Sequence, residues 1–179
     1  MSGVMSDFVV REFQAADAEA FFELNREWIQ RYFWLEPADL EVLWNPQTAI
    51  LDCGGRILMA VRNGIPVGCC ALIPIGPDEY ELAKMAVTPE QRRSGIGRRL
   101  MATAIELAER IGATRLYLET NHTLTGAIAL YESMGFRHLP PSRVKPSHYT
   151  RADVYMERMV GQTMPPPSAS DPQAASPCC

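Results

Sequence analysis

The chain has 179 residues, of which 47% are hydrophobic, with a formal net charge of −4 and a pI near 5.4. That size and apolar share suit one domain with a real core, and an acidic balance with locally bunched arginines excludes bulk nucleic-acid binding. No apolar run approaches the ~20 residues that span a bilayer, and the start MSGVMSDFVV lacks the basic segment and apolar centre of a signal peptide, so the expectation is a cytoplasmic protein with no membrane partner.

Residues 8–13, FVVREF, read as a short strand. Asp17 then occupies a good N-cap position for a helix carrying Phe21, Leu24, Trp28 and Tyr32, and a second short helix starts near Pro37. Residues 45–55, around Asn45-Pro46 and Gly54-Gly55, read as a loop. The apolar runs 56–62 and 65–73 are joined by Asn63-Gly64, which accepts positive φ at both turn positions and signals a hairpin. Pro74, Gly76 and Pro77 break the pattern before a strand at 80–87, so these strands are expected to be consecutive and antiparallel.

Leu100, Ala104, Ala108 and Ile111 fall at helical spacing, with Gly112 placed as a C-terminal cap. Residues 114–120 are again strand-like. A strand, a helix and a strand of these lengths imply a right-handed parallel crossover, with the first loop at the carboxyl end of the leading strand. A short helix carries Ala127, Leu130, Tyr131 and Met134 before Gly135, and 148–159 alternates as a final strand. From about Gly161 the chain turns rich in Pro, Ser and Ala, which predicts a domain at 1–160 and a disordered tail at 161–179. The terminal Cys178-Cys179 lacks the basic cluster that would accompany a lipid anchor. Cys53, Cys69 and Cys70 lie in or beside apolar runs as small core residues, and neither metal spacing nor a disulfide framework is visible.

The segment 80–99, YELAKMAVTPEQRRSGIGRR, carries the most chemistry. A strand runs into Arg92, Arg93, Ser94, Gly95, Ile96, Gly97 and Arg98, where the glycines let backbone approach a ligand and the opening helix directs unpaired N–H groups at it. Such a turn can wrap a compact polyphosphate as a nest. A third glycine for the dinucleotide fingerprint is missing, as is a lysine followed by Ser or Thr, so the ligand is neither NAD nor ATP. On these residues alone a plain turn stays an equal reading.

Arg92, Gly95 and Gly97 fit the pattern Arg or Gln, two residues, Gly, one residue, Gly or Ala, and the segment resembles the acetyl-CoA pyrophosphate loop of the GNAT superfamily of N-acetyltransferases. Residues 116–136, LYLETNHTLTGAIALYESMGF, resemble that superfamily's later strand and helix, ending in Leu130, Tyr131, Glu132, Gly135 and Phe136. The specific likeness covers about 80–138 and a looser one about 8–160. It implies an α/β fold: a single GNAT-type domain with a mixed, mostly antiparallel sheet, a central parallel β-α-β crossover and flanking helices. It also implies acetyl-CoA as co-substrate and no metal. The pantetheine arm would lie along Met85, Ala86 and Val87, the pyrophosphate on residues 92–98, and the acetyl group would pass by direct attack in a ternary complex to a primary amine. A small molecule, an amino acid and a peptide N-terminus all stand as acceptors, and a homodimer stays open.

Acetyl transfer from a thioester needs a neutral amine and a proton for the departing thiolate. Tyr131, protonated at neutral pH, matches the acid of the resembled enzymes; its plain alternative is aromatic packing. Glu81 matches the base of histone-acetylating relatives. Glu119, twelve residues before Tyr131, matches the base of enzymes that acetylate a ribosomal protein N-terminus and is slightly favoured. Either glutamate could instead be a solvated edge residue or a partner for a charge such as Lys84. Many relatives hold the cofactor with an Asn seven residues before the tyrosine, but Leu124 stands there, so Asn121 is the nearest candidate and could equally cap a turn. Specificity is expected from Trp28, Arg31, Tyr32, Glu36 and 147–151. A non-catalytic acyl-CoA-binding domain, or a phosphate-recognising module, would keep the loop but need no proton donor.

Overall fold

A computed structural model describes residues 8–161. Asn63 and Gly64 have φ of 52° and 79°, so the turn between β2 (Arg56–Arg62) and β3 (Ile65–Gly76) is the two-residue hairpin their sequence signals. β1 (Phe8–Glu12) pairs antiparallel with β2, and β3 antiparallel with β4 (Glu79–Val87). The chain then crosses over through α3 (Ile96–Arg110) and returns as β5 (Arg115–Thr120), parallel to β4. After α4 (Thr125–Ser133) and the short β6 (Arg137–His138), β7 (Val154–Met159) inserts between β5 and β6. One seven-stranded sheet results, in the order β1-β2-β3-β4-β5-β7-β6.

Both faces of the central strands are covered. In β2, Leu58 and Ala60 face α3, whose Leu100, Met101, Ala104 and Ala108 are fully buried, whereas Ile57 and Met59 face α1 (Ala18–Tyr32) and α2 (Pro37–Leu43) through Phe21, Leu24 and Leu43. This two-sided burial explains why β2 and β3 read as nearly continuous apolar runs. Each large side chain removed from water there contributes about 1.5–3 kcal/mol.

Several expectations change in detail. Asp17 stands at the start of α1, but its carboxylate caps the 3-10 turn before it, accepting from the Gln14 amide at 2.8 Å and pairing with Arg11 at 2.6 and 2.9 Å. Residues 45–55 are not all loop: Gln47–Leu51 wind one π-helical turn that buries Ile50. β3 passes through Pro74, which pairs in register with Tyr80. Cys53 is exposed rather than in the core, while Cys69 and Cys70 are buried. The last strand begins at Val154, not 148, because its ladder with β5 starts at Thr120 and Val154, while Tyr149, Thr150 and Arg151 bond to Lys84 of β4, to Glu36 and to Asp39 of α2. The expected tail, Cys178 and Cys179 included, lies outside the described residues beyond Gly161.

Candidate functional site

β4 and β5 pair at only three positions, Glu79 with Arg115, Tyr80 with Leu116 and Glu81 with Tyr117, and then part. The cause lies in β4, where the register against β3 shifts between Cys69 and Ala71, so that Lys84 and Met85 together oppose Cys70. Lys84 takes a φ of 52°, the left-handed conformation of a bulge that bends the strand away from β5. The Thr88 amide donates to the Val67 carbonyl of β3 at 2.9 Å. By the alternation of a strand, the Val87 and Met85 N–H groups therefore point the other way, into the gap. Ala86, between them, turns its amide to β3 and its methyl into the α1-side core.

At the end of β4, Gly95 with φ of 84° immediately precedes α3, and Arg93 also has positive φ, 62°. The first N–H groups of α3, those of Ile96, Gly97 and Arg98, have no acceptor within the helix. Ile96 buries its side chain and offers only backbone. Gly97 brings the helix close to β4, since a Cβ there would lie 3.4 Å from Met85 Cε and 3.7 Å from Leu130 Cδ2. Arg92 donates to the Tyr32 hydroxyl at 2.7 Å and Arg98 to Ser133 Oγ at 2.9 Å, ties that orient both guanidiniums around the loop; the Ser94 hydroxyl bonds within the turn, to the Gln91 carbonyl.

Where β4 and β5 diverge, a cavity of about 100 Å³ opens between them, α1 and α4. Tyr131 reaches it from α4, its ring 6.2 Å from that of Phe136, and burial pushes its hydroxyl up to about 12. Glu81 and Glu119 line it from the two strands, on the face covered by α1. Burial first, and then the charge of Glu119, raise Glu81 from 4.5 to about 7. Among the described residues the Glu81 carboxyl makes no hydrogen bond or ion pair, whereas that of Glu119 accepts one from the Tyr117 hydroxyl at 3.0 Å and another from Ser147. Asn121 also lines the cavity, but its amide donates to the Arg151 carbonyl at 2.7 Å and its Oδ1 accepts from the Thr123 amide at 2.9 Å, so it caps the turn leading to α4.

Lys84 pairs with neither glutamate. Its ammonium, 5% exposed, lies 3.0 Å from the fully buried Asp39 and donates to the Tyr149 hydroxyl at 2.8 Å. Arg151 completes the cluster with bonds of 2.7 and 2.8 Å to Asp39 and 3.1 Å to Glu36. Burial alone would raise Asp39, but the Arg151 hydrogen bonds and the Lys84 charge outweigh it and hold the carboxyl below its ordinary range. The expected specificity residues divide accordingly: Trp28 and Tyr149 line the cavity, Glu36 anchors the segment beside it, and Arg31 is exposed at the end of α1. Sequence reading missed Asp39 altogether; its only local trace is the reciprocal capping of α2 by Glu36 and Asp39 around Pro37.

Residues 14–136 match the acetyltransferase (GNAT) family. The [ribosomal protein bS18]-alanine N-acetyltransferase of Escherichia coli K12 is 32% identical over 112 residues, which cover 62% of this chain and 73% of the relative. Among solved structures, a GNAT-family acetyltransferase from Staphylococcus aureus Mu50 superposes with a TM-score of 0.78 at 21% identity, over 86% of this chain and 99% of its own. The yncA protein of Salmonella typhimurium, determined with its cofactor acetyl-CoA, superposes with a TM-score of 0.69 at 19% identity, over 91% and 99%. With a match that runs through both the β4–α3 loop and Tyr131, the chain belongs to the acetyltransferase (GNAT) family and is an N-acetyltransferase.

Proposed function

We propose that the chain passes the acetyl group of acetyl-CoA directly to a primary amine seated in the cavity between β4 and β5. The observation that carries this is the parted sheet, in which the Met85 and Val87 N–H groups are aimed into the gap, next to a helix N-terminus. The pantetheine arm fits there as an added strand on Met85 and Val87. Its pyrophosphate fits the amides of Ile96, Gly97 and Arg98, with Arg92 and Arg93 alongside.

Glu81 is the better placed of the two candidate bases. A carboxyl near 7 is matched to taking a proton at neutral pH, and it has no competing donor, whereas both oxygens of Glu119 already accept hydrogen bonds. Glu119 would then hold the incoming ammonium and keep Glu81 basic. Glu81 takes a proton from the bound ammonium, and the neutral amine so formed attacks the thioester carbonyl; as the C–S bond breaks the thiolate takes the Tyr131 proton, the proton then lost by the acylated nitrogen restores the phenol, and Glu81 releases its own to solvent. A hydroxyl near 12 stays protonated throughout the working range, and burial disfavours the thiolate as much as the phenolate.

The substrate named for the E. coli relative supports a protein N-terminus among the acceptors, beside small amines and amino acids. A cytoplasmic site of action belongs to the same reading and rests on the sequence. The test is a turnover screen over small amines, amino acids and N-terminal peptides with wild type and Tyr131→Phe. The variant is expected to lose roughly ten- to a thousandfold in kcat with acetyl-CoA affinity unchanged, because only the transition state needs the hydroxyl. Equal kcat in the two proteins would remove Tyr131 from the role of acid.

A further inference from the structure

The charges around the cavity are unevenly engaged. Among the described residues Lys84 and Arg151 are the two cations that line it, and both are committed to Asp39 of α2. Lys84 holds Asp39 and Tyr149, Arg151 grips Asp39 with two bonds and Glu36 with a third, and the Tyr149 ring lies between the two cations, 4.7 Å from Lys84 and 4.6 Å from Arg151. Because Asp39 is fully buried, turning either cation toward a ligand would weaken the hold on a carboxylate that water cannot reach. The acidic groups are in the opposite condition. The Glu81 carboxyl has no hydrogen bond or ion pair among the described residues and feels the Lys84 charge only at a distance, and the two bonds to Glu119 come from neutral hydroxyls.

We propose that the acceptor site rejects amines that carry a carboxylate on the neighbouring carbon, so that free α-amino acids are excluded while amines bearing a neutral group there, an amide or an alkyl, are taken. This rests on the reading that the amine binds in this cavity. A carboxylate carried in beside the amine gives up its water, meets Glu81 and Glu119, and finds no uncommitted cation among the described residues to replace that water. An amide carbonyl in the same position brings no charge, and the ammonium is attracted by the same two carboxyls that repel the acid. Discrimination of this kind is built by leaving the unwanted partner's charge uncompensated.

The experiment compares L-alanine, L-alaninamide and isopropylamine, which share a small branched carbon next to nitrogen. Each kcat/KM is taken at the alkaline plateau of its own pH profile, because the three amines differ in basicity. Binding of the same three compounds to the protein saturated with CoA is measured alongside by calorimetry, which needs no chemistry. Alaninamide and isopropylamine are expected to exceed alanine by roughly 100-fold in both measurements, the scale on which uncompensated buried charge is penalised. Glu119→Gln should narrow the ratio about tenfold while leaving acetyl-CoA affinity in place, an effect that a merely structural role for Glu119 would not produce. Alanine bound and acetylated as well as its amide would overturn the proposal, as would binding of none of the three. Selective binding of the two amines without a carboxylate, in the absence of their acetylation, would support the selectivity and refute instead the proposed chemistry.

Discussion

Burial and the facing Glu119 raise Glu81 to about 7, and the shift acts on rate and on stability in opposite directions. As a base it works only when deprotonated, so activity should climb as pH rises through about 7, and Glu81→Gln should lower kcat at neutral pH and lose that limb of the profile. For stability, the folded protein binds this proton more tightly than the unfolded chain does. The contribution is therefore full below about 4.5 and lost as pH rises through about 7. Glu81→Gln should match wild type in urea at pH 4 and exceed it by roughly 1–3 kcal/mol at pH 8. A difference that does not grow with pH would show that the folded state does not strain this carboxyl. The residue was legible in the sequence as a candidate, on a strand before a recognisable loop. The priority over Glu119 proposed above was not, because that proposal rests on Tyr117 and Ser147, hydroxyls on β5 and on an irregular segment, converging on Glu119.

At the scale of elements, local signals reported local geometry well. Asn63-Gly64 made its hairpin, Gly112 adopts positive φ just after α3, and Gly95 adopts the positive φ that opens that helix. A side chain at Gly95 would meet nothing within 4 Å, so Gly95→Asp has room. It should cost only about 1 kcal/mol for the left-handed backbone, which Asp tolerates better than most residues. Its carboxylate would nonetheless stand where the pyrophosphate is proposed to bind, and acetyl-CoA affinity should fall by roughly 100-fold or more. Calorimetry on the folded variant checks this; unchanged affinity would remove the loop from the cofactor site. The bulge that parts the sheet gave no such signal, because a lysine, not a glycine, takes the left-handed position. What holds it there is Asp39, 45 residues earlier in the chain. Alternation from 148 onward likewise suggested strand. The side chains of Tyr149 and Arg151 are drawn to Lys84 and Asp39, a preference that no short window of sequence contains.

On the scale of the whole molecule, the described fold closes at Val160, which is buried and whose amide donates to the Thr114 carbonyl at 3.0 Å. A chain ended at Gly161 keeps every described contact, so it should unfold at the same denaturant concentration and turn over acetyl-CoA at the wild-type rate. Loss of activity in a stable truncated protein would show that residues 162–179 reach the site. The division of the sheet has a further consequence, for solvent exchange. β1–β4 and β5–β7 form two leaves stitched by three residue pairs, so a single strand carries amides of two kinds. Those of Ala86 and Thr88, turned to β3, should hold their hydrogens in deuterated water whether or not ligand is present. Those of Met85 and Val87 should exchange like an open sheet edge in the free protein and slow sharply once acetyl-CoA bridges the leaves. Deuterium uptake resolved by residue would then alternate fast and slow along β4, and binding of the donor would erase the alternation.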